Sequence, residues 1–105
     1  MDRFAGDRVY ARPEVARAHF TRALAASGGH AAGPYVALAE SVCVPQRARV
    51  EFAAMLDAAL AVDADRYPDQ RLENLIMQSR ARWLKSRIDE LFLPEPLPPV
   101  EGSSP

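Results

Sequence analysis

Ala16-x3-Phe20-x2-Ala23 and, 36 residues further on, Phe52-x3-Leu56-x2-Ala59 decide the fold of this chain. Steps of four and three residues return each set to one helical face. In the first set a large side chain stands between two small ones, an alternation that suits helices that approach closely. Working outward, the first set predicts a helix from about Pro13 to Ser27, with Leu24 completing its apolar face. Gly28 and Gly29 end it. The second set predicts a helix from about Gln46 to Val62, whose face adds Ala53, Met55 and Leu60. Between them, Gly33 and Pro34 lead into a short helix that runs to Cys43 and closes at Pro45. A longer helix, from about Asp69 to Phe92, follows the break at residues 63–69, with Asp69 as its N-cap.

The spacing is that of the second helix of a tetratricopeptide-type repeat. Tyr35-x2-Leu38-Ala39-x2-Val42 occupies the frame of the first helix just ahead of Phe52, with Tyr for Trp and Ala for Gly. The expected fold is all-α: tetratricopeptide-like helical hairpins, about four helices, the last one long. Residues 1–92 form one helical repeat domain in this reading. Residues 93–105 hold five of the nine prolines and form an extended Pro-rich tail, which Leu93, Leu97 and Val100 pin in part. The first helix has no preceding partner, so Phe20 and Leu24 need a cover, and self-association is expected.

Composition narrows the function. With 13 basic and 14 acidic residues the formal net charge is −1, which lacks the basic excess of a nucleic-acid binder. No apolar run approaches the roughly 20 residues of a membrane span, so no direct membrane insertion is expected. Met1 to Tyr10 is charged and interrupted by Gly6, unlike a signal peptide. The chain as it stands is expected in the cytoplasm. One cysteine excludes an internal disulfide.

No catalytic set can be assembled. His19 and His30 have no carboxylate or cysteine at metal-ligand spacing and read as helix-surface and loop residues, with no metal implied. Cys43, between two valines, reads as a small buried apolar residue. Asp63, Asp65 and Asp69 lack the glycine and terminal glutamate of a calcium loop and read as turn and capping residues. Gly28, Gly29 and Gly33 lack the lysine of a phosphate loop. A non-enzyme without a cofactor is expected.

The fourth helix carries two apolar stripes at 100° per residue. One is Met77, Ala81, Leu84, Ile88 and Leu91; the other is Leu72, Ile76 and Trp83. Arg80 and Arg87, one heptad apart, project between them, with Arg82 and Lys85 on the outer face. Trp83 is a core or interface anchor. Two readings of Arg80 and Arg87 stand. They snorkel over apolar neighbours, or they line a partner or ligand groove with Trp83 and Tyr35 and pair bidentately with a carboxylate. Glu40 and Glu51 are the internal candidates, and an acidic ligand is the external one. A small-molecule carrier using that groove is a further possibility.

Two stretches, YVALAESVCVPQ (35–46) and RLENLIMQSRARWL (71–84), together with Glu51-Phe52, Leu56 and the run Ala59 to Asp63 between them, resemble the T component (TatT) of tripartite ATP-independent periplasmic (TRAP) transporters. The likeness covers about residues 14–92 and the C-terminal portion of that family. It implies an all-helical, tetratricopeptide-like, lipid-anchored periplasmic protein that assembles as a trimer. It also implies a TRAP substrate-binding protein as partner, and a pore through each protomer that hands over a hydrophobic ligand. Family members are longer, and the pore needs their N-terminal helices. The competing reading is a cytoplasmic self-associating helical-repeat scaffold with no transport role.

Overall fold

The computed structural model describes residues 12–93, and every regular element among them is helical. Helix α1 spans Pro13–Ser27, with Pro13 in its first turn, where a missing N–H costs nothing. It ends in a left-handed Gly28 at φ 66°. Gly28 N–H donates to Ala25 O and Gly29 N–H to Leu24 O, the paired bonds of a glycine-closed helix end.

Helix α2 spans Gly33–Leu38 and continues through a wider π turn, Ala39–Cys43. The sequence expectation of one uniform helix from Pro34 to Cys43 thus gives way in its second half. Val44 N–H reaches back five residues to Ala39 O at 3.2 Å. The widening falls directly before Pro45, whose ring would press on the carbonyl of Ser41 in a regular helix. Ala39, Val42 and Cys43 of this turn are all buried.

Helix α3, Arg49–Leu60, is shorter at both ends than the expected 46–62. A turn through Arg47, at φ 56°, precedes it, and the Arg47 guanidinium donates to Leu93 O at 2.9 Å. Phe52, Leu56 and Ala59 are 0% exposed and form the centre of the core. The first copy of the pattern behaves differently. Ala16 and Phe20 are half-buried and Ala23 is exposed, because α1 packs chiefly on α2 over one side and buries no residue fully.

Two short 3-10 turns, Ala64–Arg66 and Pro68–Gln70, lead to helix α4, Arg71–Ser86. Asp69 therefore lies inside a turn and is not the N-cap; Gln70 takes that position without a side-chain bond. Asp63 does cap, accepting from Asp65 N–H at 3.2 Å.

The expected helix to Phe92 is also broken. The Ser86 hydroxyl donates to Trp83 O at 2.6 Å, the carbonyl that Arg87 N–H would use in a regular helix. Arg87 N–H bonds Leu84 O at 3.0 Å instead, and helix α5, Ile88–Leu91, starts after it. The redirected chain sets the Phe92 ring edge-on to Phe52, with centroids 4.9 Å apart. Leu93 is exposed, so its carbonyl, not its side chain, is what is held. The remainder of the Pro-rich tail, with Leu97 and Val100, lies outside the described residues, as do residues 1–11.

Candidate partner and ligand surfaces

Two polar residues on the inner face of α4 fix the framework on which any surface is built. Asn74 is 2% exposed; its Oδ1 accepts from Ala32 N–H at 2.9 Å and its Nδ2 donates to His30 O at 3.0 Å. Gln78 Nε2 donates to Ala59 O at 3.0 Å and Val62 O at 2.7 Å. One residue thus holds the α1–α2 loop and the other the end of α3, both against α4. Neither was singled out in the sequence. The available signal was their i, i+4 spacing on the same side as Ala81 and Leu84, where a polar side chain must find partners.

The two stripes of α4 part company. Ala81 and Leu84 are buried, and Met77, Ile88 and Leu91 pack against the core. Leu72, Ile76 and Trp83 point away from it and are 72%, 53% and 49% exposed. Trp83 is therefore not a core residue. The Arg80 and Arg87 guanidiniums lie over its ring, 5.3 and 5.1 Å from the centroid.

Arg80 reaches Glu40 on α2, its Nε at 3.0 Å from Oε2 and its Nη2 on the same oxygen. The pairing joins the two residues, but both donors land on one oxygen rather than across two. Arg87 pairs instead with Glu90, 2.7 Å away and three residues on. The structure so brings Arg80, Trp83, Arg87 and Glu40 together. Tyr35 stands apart: its ring meets Phe20 edge-on at 5.6 Å, and it lines a second cleft with Val62, Asp63 and Tyr67. Lys85 is not on the outer face, because its Nζ lies 2.5 Å from Asp57 Oδ1 of α3.

Glu51, the other expected partner, belongs to Arg17. Nη1 to Oε2 is 2.7 Å and Nη2 to Oε1 is 2.8 Å, a fork joining α1 to α3. The hydrogen-bonded guanidinium holds the Glu51 carboxyl below its usual range and raises Arg17 in turn. Cys43 is fully buried beside this pair. Burial first, and the Glu51 carboxylate second, push its thiol up to about 11. A thiol so held is neutral and a poor nucleophile.

Between α1 and α2 runs an open apolar groove of about 300 Å³, lined by Val15, Phe20, Ala23, Pro34, Ala37 and Leu38 among others, with His19 and Ser41 as polar members. His19 is on the surface of α1, with Arg22 Nη2 2.9 Å from its Nδ1. His30 stacks on Tyr67 with centroids 3.7 Å apart. Among the described residues no group of three His, Cys, Asp or Glu could hold a metal, and no helix is long and apolar enough to cross a membrane.

The family model for the TRAP transporter T-component matches residues 10–92. The chain belongs to that family. The match takes in α1 to α5, so both copies of the helical pattern and the whole outward face of α4 are parts of a T component. An uncharacterized protein of Treponema pallidum (strain Nichols) is 36% identical over 75 residues, 71% of this chain and 22% of the relative. This T component therefore spans well under two thirds of the length of the curated relative it matches. No solved structure matches it. The family is a transporter component rather than a known class of enzyme.

Proposed function

We propose that this T component binds a TRAP substrate-binding protein in the periplasm and assists ligand uptake, with no catalysis of its own. The family match over residues 10–92 carries the reading. Two surfaces support it. The outward face of α4, with Arg80, Trp83, Arg87 and Glu40, combines a half-exposed indole with charge, the composition of an interface anchor. The α1–α2 groove, about 300 Å³, has the apolar lining that a hydrophobic ligand needs. Tyr35 meets Phe20, one of the residues lining that groove, edge-on at 5.6 Å. In this reading the chain works as a homo-oligomer, a trimer as its family resemblance implies.

Titration calorimetry against the purified substrate-binding protein of the TRAP system in the same genome tests the proposal. Saturable binding is expected. Absence of heat and of a mobility shift at about 100 μM, the weak end of transient protein association, overturns it.

A further inference from the structure

We infer that the groove between α1 and α2 takes a free carboxylic acid with a single alkyl chain, its carboxylate held at His19 and Arg22. The inference names the class of ligand for the apolar site and rests on the T-component reading for that ligand's place in uptake.

The groove is polarised. Val15, Phe20, Ala23, Pro34, Ala37 and Leu38 give it apolar walls, and the polar side chains in its lining are His19 and Ser41. The Ser41 hydroxyl donates to Ala37 O at 2.7 Å, so its proton is spent within α2 and serves no head group. His19 differs. Arg22 Nη2 lies 2.9 Å from His19 Nδ1, and a guanidinium can only donate. Nδ1 therefore accepts, which leaves the ring proton of the neutral imidazole on Nε2. Imidazole and guanidinium are thus neighbouring donor groups, a match for the two oxygens of one carboxylate.

The charge left over at this groove has one sign. On α1, Glu14 faces Arg12 at 3.6 Å, and Glu40 of α2 is paired with Arg80. Glu51 reaches across from α3 to hold Arg17 at 2.7 Å. Arg22 has no carboxylate partner among the described residues; its contact is His19. The lining itself contains no acid. An anionic head is favoured here and a cationic one is repelled.

Size selects the tail. At about 300 Å³ the groove lies at the small end of ligand sites. One turn of helix with its side chains, about 10 Å across and 5.4 Å long, already exceeds that volume. A single alkyl chain suits the space, and a helix from a second copy does not.

Titration calorimetry tests this with decanoate, with decylammonium, which keeps the tail, and with butyrate, which keeps the head. Decanoate should bind saturably and at least about tenfold more tightly than decylammonium. Butyrate should give no saturable heat at the same concentrations. Arg22→Gln should lose about tenfold in decanoate affinity without weakening decylammonium. Ala23→Trp, which sets an indole in the groove, should abolish decanoate binding. Equal binding of decanoate and decylammonium overturns the inference, as does full decanoate affinity in either variant. So does a rise in mass on concentrating the protein that decanoate fails to reverse, which would mean a second copy fills the groove.

The outcomes separate this inference from the reading it rests on. If decylammonium binds as well as decanoate, the carboxylate is wrong and an apolar ligand for the T component stands. If neither amphiphile binds but the substrate-binding protein does, the groove is no ligand site and the partner reading stands. If decanoate binds and the protein does not, the reading fails alone.

Discussion

The side-chain amide of Gln78 donates to the carbonyl of Ala59 at 3.0 Å across the α3–α4 contact. Helix ends leave four carbonyls without partners, and Gln78, bonded also to Val62 O, answers that need from a neighbouring helix. Gln78→Met keeps the volume and removes the donor. It should lower the unfolding free energy by about 1–3 kcal/mol, because Val62 O loses its donor while Ala59 O keeps only Val62 N–H at 3.3 Å. Gln78→Glu should cost more at neutral pH, because a carboxylate faces two carbonyls. That gap to the parent should narrow toward pH 4, where the carboxyl takes up a proton and can donate. Urea unfolding at both pH values checks this, and a constant gap would mean the amide is not the donor.

Ala59 and Ala23 hold equivalent places in the repeated pattern but not in the core. Ala59 is 0% exposed, so Ala59→Trp should destabilise by at least about 1–3 kcal/mol. Ala23 faces the open groove, so Ala23→Trp has room and should stay within about 0.5 kcal/mol of the parent. Thermal midpoints of the two variants distinguish them. Equal losses would show that α1 packs as tightly as α3.

Cys43 couples stability to alkaline pH. Its folded-state pKa, about 11, lies above that of an unfolded thiol, so the folded state holds the proton more firmly. The stabilisation is complete below the unfolded value of about 8.5 and is lost as pH rises through the folded one, at roughly 1.4 kcal/mol for each unit of difference. Unfolding free energy should fall between about pH 9 and 11, and Cys43→Ala should flatten that part of the curve. Thiol labelling at pH 8 should proceed only at the rate of unfolding.

Arg17 and Glu51 tie α1 to the core through a pair with side chains 43% and 32% exposed. At that exposure the pair contributes at most about 1 kcal/mol. Because α1 buries no residue fully, that small term matters locally. Its amides should exchange fastest among the helices, and Glu51→Gln should speed them further while leaving α3 and α4 unchanged. The folded Glu51 carboxyl titrates below its ordinary range. Its contribution is therefore present above the unfolded glutamate value and disappears as pH falls through the folded one. Hydrogen exchange followed residue by residue checks both statements, and uniform acceleration would show that the pair supports the whole fold.

Helix type and core face were written in local order. Phe52, Leu56 and Ala59 could be placed inside, and Met77, Ala81 and Leu84 with them, because a period of 3.6 residues is a property of consecutive side chains. Gly28-Gly29 and Pro45 likewise mark their helix ends through their own backbone limits. The T-component resemblance was legible too, since residues 35–46 and 71–84 carry it as contiguous strings.

Tertiary structure alone decided which of two similar patterns is core. Ala16, Phe20 and Ala23 match their later counterparts in spacing, but burial depends on what covers a face, and α1 is covered on one side only. The partners of Arg80, Arg17 and Lys85 were set in the same way. Each sits 28 to 40 residues from its carboxylate in the chain, and helical periodicity carries no information at that range. The broken end of α4 turned on a single hydroxyl, Ser86 Oγ bonding the carbonyl of Trp83. Which acceptor a serine takes depends on rotamer and neighbours, and that choice exists only once the helices have packed.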